Sequence, residues 1–209
     1  MMKKKYVAII ISILFNIPLS ALTNQANDTS MIDFSLYYFV DLSDTYGGGE
    51  IFSGEIGFSR SWYGACLGYG HFQSQSTFIL KVPVENPDGQ IGIPFDEMAI
   101  MKNSSLSLKI LPIRTSWINA ELIFGIAFAK AEWSCYKSVD YSYSIVENRF
   151  TQLIRDYQLI KSKHFGYQVG LNIVLCPLKF ADFKLSARMQ DLNRGGTFFF
   201  VGGGISLKI

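Results

Sequence analysis

His71 and His164 are the only histidines in this 209-residue chain, and an imidazole is the side chain best suited to act as a general base near neutral pH. A serine nucleophile must lie within about 2.6–3.2 Å of such a base, with a third group orienting the ring. His71 opens the stretch His71-Phe72-Gln73-Ser74-Gln75-Ser76. In an extended strand the odd offset sends Ser74 to the face opposite the histidine, and Gln73 stands on the histidine's own side. Glu85 and Asp96 are the acids left to orient the ring. His71 is therefore expected to be an ordinary rim histidine, and His164, with no second metal ligand nearby, a surface one. Cys66, Cys135 and Cys176 are widely spaced and form no Cys-x-x-Cys pair, which argues against a disulfide framework and a four-ligand zinc site. Gly47-Gly48-Gly49 and Gly202-Gly203-Gly204 do not open a helix with phosphate-binding spacing. No catalytic group, cofactor or metal is expected.

A second set of charges is more informative. Glu55, Lys109, Glu121, Lys184 and Arg188 fall in five different segments, each on the less apolar side of an alternating pattern. Placed together inside one sheet that closes on itself, they would form an interior polar network. Buried charges left alone are too costly, so Glu55 and Glu121 are expected to pair with some of the three bases.

Those positions depend on the strands. Thr197–Ile209 alternates Phe199, Val201, Gly203, Ile205, Leu207 and Ile209 against Phe198, Phe200, Gly202, Gly204, Ser206 and Lys208, the period of a strand with two environments. The same period runs through 182–191, 164–175, 120–130, 104–114, 63–70, 52–59 and 33–42. In the first strand Phe34, Leu36, Tyr38 and Val40 oppose Ser35, Tyr37, Phe39 and Asp41. Eight strands is the even number a single-chain bacterial barrel requires, and several are as long as a tilted membrane-crossing strand, about 9–11 residues.

The connections alternate in length. Those at 61–63, 112–117 and 176–181 are short, as periplasmic turns should be, and Trp62 and Trp117 sit where an interfacial aromatic girdle belongs. The connections at 78–103 and 131–163 are long and read as extracellular loops. In the first, Pro83, Pro87, Asp88-Gly89 and Pro94 predict successive turns. In the second, Tyr141–Ile145 predicts a short strand, and Phe150, Leu153, Ile154, Tyr157 and Ile160 fall on one face of a short helix.

Composition agrees with a lipid solvent: 49% of residues are hydrophobic and 17% charged, against about 25% charged in soluble domains. Residues 1–21 read as a signal peptide, with Lys3-Lys4-Lys5, an apolar run from Tyr6 to Ile17 and cleavage after Ala21, or as late as Ala26. Its removal leaves 16 basic residues against 17 acidic ones, no footprint for nucleic acid.

With export segment, strands and connections in place, residues 31–209 resemble the small eight-stranded bacterial outer-membrane barrels, the OmpA/OmpX-like class. The resemblance implies an all-β fold, an eight-stranded antiparallel up-and-down transmembrane barrel with short periplasmic turns and long extracellular loops. It implies insertion by the barrel-assembly machinery and a setting of outer-membrane lipids and lipopolysaccharide. Such barrels commonly end in an aromatic residue; Ile209 keeps the phase with a different side chain. Lipid A-modifying enzymes of this architecture use a His and a Ser near one rim, and the stretch from His71 is loosely similar to theirs, with Gln73 where the serine stands. The expected function is a non-enzymatic, sealed barrel with an envelope-structural role. The alternatives are adhesion or ligand binding through residues 131–163, and a lipid A-modifying enzyme using His71.

Overall fold

A computed structural model describes residues 30–43, 45–83, 89–176 and 178–209; the expected signal peptide lies outside the described residues. The strands are β1 Ser30–Asp41, β2 Gly49–Arg60, β3 Tyr63–Pro83, β4 Gln90–Arg114, β5 Ile118–Ser144, β6 Arg149–Leu175, β7 Ala181–Leu192 and β8 Gly196–Lys208. Each pairs antiparallel with the next, and β8 returns to β1, from Asp33 opposite Lys208 to Asp41 opposite Phe200. Two backbone hydrogen bonds between Ile32 and Ile209, 2.9 and 3.1 Å, finish the seam at the terminal residue. No edge of the wall is left open between β1 and β8, which is what a sheet in hydrocarbon requires of its backbone polar groups.

The direction of the side chains identifies the solvent. Leu36 is 73% exposed and Leu108 64%, while Lys184 and Arg188 are 2% and 9% exposed. Phe183, Leu185, Ile205 and Leu207 also face out. Apolar residues clothe the cylinder and charges fill it, the reverse of a soluble carrier barrel. Trp62 and Trp117 are exposed at the short-turn end, as a membrane–water girdle requires.

The strands are of two kinds. β1, β2, β7 and β8 have 12, 12, 12 and 13 residues, a single crossing; β3 to β6 have 21, 25, 27 and 27. The extra length corrects both loop expectations. Residues 78–83 continue β3 and 90–103 continue β4, so that Pro83 ends a strand and Pro94 lies within one, opposite Ile79. Pro94 is tolerated because β4 pairs with β5 only from Met98 downward, and above it β4 is an edge with a free N–H side. Pro112 sits at the bulge between Ile110 and Ile113 in the β4–β5 pairing.

The helix expected over 150–160 is instead the upper half of β6, paired with β5 up to Arg149 opposite Ser144. A register shift between Ser142 and Tyr143 accounts for the three-residue step from Phe150 to Leu153 in that expectation, and another lies between Tyr136 and Ser138 on β5. Each inserts one residue, so Tyr136 and Val139, three apart on β5, and Phe150 and Leu153, three apart on β6, turn to the same side. The strand expected over 141–145 ends at Ser144.

At the top of the short side, Thr45–Gly47 forms a 3-10 turn between β1 and β2. Gly47 and Gly48 have φ of +75° and +80°, a left-handed conformation for which glycine has no steric cost.

Candidate functional site

The lumen has two stories. At the periplasmic end Asp33 is a hub: its carboxylate lies 3.0 Å from Lys184 Nζ and 3.3 Å from Lys109 Nζ, and accepts hydrogen bonds from Ser35 at 3.0 Å and Ser206 at 3.4 Å. Lys184 also approaches Glu121 to 3.8 Å, and Glu121 accepts from Asn172 Nδ2 at 2.8 Å. Arg188 pairs with Glu55 and donates through Nε to Ser186 at 3.1 Å. Its guanidinium lies over the rings of Tyr37 and Phe39, 4.7 and 4.9 Å from their centroids. Lys208 pairs with Asp182 at 2.6 Å nearer the mouth.

Glu55, Lys109, Glu121, Lys184 and Arg188 are all buried in the lumen: Lys184 meets Glu121 directly and Lys109 through Asp33, and the Glu55–Arg188 pair reaches Glu121 through Ser186 and Asn172. Asp33 was missed, although its odd-numbered parity with Ser35 and Tyr37 is visible in the sequence. Asp33, Glu55 and Glu121 balance Lys109, Lys184 and Arg188 in charge. A recess of about 150 Å³ opens from this cluster, bordered by Arg114, Asn119 and Asp182 as well.

The extracellular story is apolar. Phe39, Phe72, Phe198 and Phe200 are buried together with Ile51 and Met101, and Phe198 stacks on Phe200 at 5.7 Å. Tyr46, on the 3-10 turn, closes over Phe198 at 6.1 Å and over Trp133 at 5.8 Å. Burial pushes its phenol above the ordinary value.

Between the stories is a cavity of about 30 Å³, onto which Ser53, Glu55, Asn103, Arg188 and Gln190 each bring a buried polar atom with no protein partner. Donors and acceptors are mixed there, so a neutral molecule that both donates and accepts fits it better than an ion of either sign.

The histidines stand apart from this network. His71 faces outward while Ser74 is buried, its hydroxyl donating to the Tyr46 carbonyl at 2.9 Å. The two share no geometry for nucleophilic catalysis. His164 Nε2 is 2.7 Å from Ser162 Oγ and its Nδ1 3.3 Å from the Asn193 carbonyl, a contact between β6 and the β7–β8 turn. Among the described residues no cluster of His, Cys, Asp and Glu could hold a metal ion, and the cysteines are unpaired. Cys176 accepts from Asn119 Nδ2 at 3.2 Å, and burial, with the Asp182 carboxylate beside it, pushes its thiol up.

Above the wall, the β3–β4 and β5–β6 hairpins separate as hydrogen-bonded ribbons and pack by side chains. Val82, Ile93 and Phe95 are buried against Tyr136, Val139, Tyr141, Phe150 and Leu153. Phe95 meets Tyr136 at 4.8 Å and Tyr157 at 5.8 Å. The Tyr141 hydroxyl donates to the Pro83 carbonyl at 3.0 Å, and Glu97 accepts from the Tyr136 N–H at 3.2 Å where the ribbons part. At about 3.4 Å per residue, the roughly 14 extra residues of β5 add about 48 Å of strand beyond the single-crossing strands, less any tilt.

A closed eight-stranded wall with an apolar exterior, a charged and aromatic lumen and extended hairpins at one end defines an outer-membrane β-barrel. Solved structures agree on the fold. The attachment invasion locus protein Ail of Yersinia pestis is 10% identical, with a TM-score of 0.52 over 87% of this chain and 99% of that one. The N-terminal barrel domain of Pseudomonas aeruginosa OprF is 11% identical, with a TM-score of 0.54 over 88% and 100%. Neisserial surface protein A is 11% identical, with a TM-score of 0.50 over 89% and 100%. No protein-family model matches the chain, and a search of curated proteins finds no match.

Proposed function

We propose that this outer-membrane barrel is a non-enzymatic surface-binding protein, in which a sealed wall holds the two packed ribbons clear of the membrane as the binding element. The carrying observation is the length and order of β3 to β6 beyond the wall. A barrel needed only to stiffen the envelope is complete at 12 or 13 residues per strand, as β1, β2, β7 and β8 are. Here a separate apolar cluster around Ile93 and Phe95 makes the projection rigid, and binding residues concentrate on segments that a rigid scaffold presents. This moves weight from the envelope-structural expectation to its alternative, and widens the binding segment from residues 131–163 to both ribbons.

Sealing is supported by the aromatic story over the paired charges, and a purely binding role by the opposed faces of His71 and Ser74. The Yersinia pestis protein has been crystallised with the heparin analogue sucrose octasulfate; at that identity the likeness carries fold only, and polyanionic glycans are one probe among several. The test replaces Ser74–Ala99 and Trp133–Ile160 with short turns, cutting at positions that face each other in register. Cells bearing the whole or the shortened chain are compared on arrays of matrix proteins and sulfated glycans, with envelope permeability measured in parallel. Binding by the whole chain alone, at equal permeability, is expected. Raised permeability with no array binding by either chain would return the protein to a structural role.

A further inference from the structure

The outward face of the long strands carries a row of like charges. Lys102 on β4 stands directly opposite Lys130 on β5, and Lys130 directly opposite Lys163 on β6; His71 on β3 extends the row beyond Lys102. All four are exposed. Like charges directly across neighbouring strands are destabilising, and none of the three lysines has an ion pair among the described residues. The carboxylate in the next row up, Glu132, is held by Lys161 at 3.2 Å.

The row sits at a particular height. The row beneath it is Tyr69, Ser104, Phe128 and Phe165, and the next is Leu67, Leu106, Ile126 and Tyr167. Apolar wall ends and charge begins within two residues, so the lysines lie at the headgroup level of the extracellular leaflet. Elsewhere at the extracellular rim Glu50 on β2 and Asp191 on β7 are acidic, and Arg194 stands on the β7–β8 turn. The aligned row of bases thus lies on β3–β6.

We infer that Lys102, Lys130 and Lys163 bind the phosphate groups of an outer-leaflet lipid, the lipid A of lipopolysaccharide, whose acyl chains lie on the Phe128, Phe165, Leu106 and Ile126 surface below. Strands about 4.8 Å apart put Lys102 and Lys163 roughly 10 Å apart at their Cα atoms, and flexible four-carbon stems let three ammonium groups converge on one or two phosphates. An anion there removes the repulsion that the register builds in. A soluble anion would use the lysines and leave the apolar rows unexplained; an amphipathic one uses both. The site is independent of whatever the ribbons bind.

The experiment uses the full chain, refolded in detergent and titrated with phosphorylated lipid A, with lipid A stripped of its phosphates, and with inorganic phosphate alone. At about one kcal/mol for each lysine near such a surface, wild type is expected to prefer the phosphorylated lipid by roughly a hundredfold. K102Q/K130Q/K163Q should lose that preference, K161Q should keep it, and millimolar phosphate should not compete. Because the triple variant relieves like-charge contacts, its heat-modifiable mobility should persist; a variant that fails to fold shows that the lysines are not an unpaired row and overturns the inference. So does equal affinity of wild type for both lipids, or displacement of the lipid by phosphate at ordinary ionic strength.

Discussion

Replacing Asp33 with Asn keeps the shape of the hub and removes its charge. Lys109 and Lys184, both nearly inaccessible to water, then share only Glu121, which approaches Lys184 to 3.8 Å, and the lumen carries one uncompensated positive charge. Removing one partner of a buried pair costs about 3–5 kcal/mol. The asparagine amide still accepts from Ser35 and Ser206, so the expected loss is near the lower end, about 3 kcal/mol. Lys109→Met alone leaves one uncompensated negative charge, although Asp33 keeps Lys184, and the double variant D33N/K109M is neutral again. The two changes should therefore couple favourably by about 1–3 kcal/mol, the double losing less than the sum of the singles. Urea unfolding in phospholipid vesicles, followed by tryptophan fluorescence, reads all four corners of the cycle. A cost below about 1 kcal/mol for D33N, or strict additivity of the pair, would refute the view that these charges hold one another in place.

Other outcomes follow from the remaining features. Planar-bilayer recording of the intact protein should show no conductance of general-porin size, whereas the triple substitution F39A/F72A/F200A, which removes three of the four buried phenylalanine rings of the extracellular story, should raise ion flux. Phe95→Ala removes a ring at the centre of the ribbon cluster and should cost about 3 kcal/mol there; hydrogen exchange should quicken over residues 90–97 and 135–157 while the wall stays protected, and uniform quickening would count against separate packing of the ribbons. A high-resolution crystal structure should place about two ordered waters among Glu55, Asn103, Arg188 and Gln190, since each needs about 10–15 Å³ of the cavity between the stories. A cation or anion refined there would contradict the mixed donor and acceptor lining.

The wall was legible because hydrocarbon outside and packed charge inside impose strict alternation. Leu36, Leu108 and Leu207 face lipid and Lys109, Lys184 and Arg188 face the lumen, as their parity in sequence indicates. Above the membrane that contrast fades, since water wets the outer side of both ribbons and polar residues are admitted on either face. The residues inserted at the two register shifts in the β5–β6 hairpin then reset the parity, and each strand acquires one helix-like three-residue step, Tyr136 to Val139 and Phe150 to Leu153. Proline added to the error, because Pro94 tolerates a strand edge that only the separation of the ribbons creates. The lysine row lay beyond sequence reasoning for another reason: each lysine is unremarkable in its own strand, and register alone lines them up.

Continuity of β3 through β6 from rim to wall has a mechanical consequence. A pull on the ribbon tips, directed away from the cell, runs nearly along the strands, so the ladder between neighbours is loaded in shear. Many backbone bonds must then slip together, whereas a load peeling strands apart would open them one at a time. With both ends of each long strand tied into the cylinder or its partner, a tether of this build grips hardest in the direction in which a cell would be dragged.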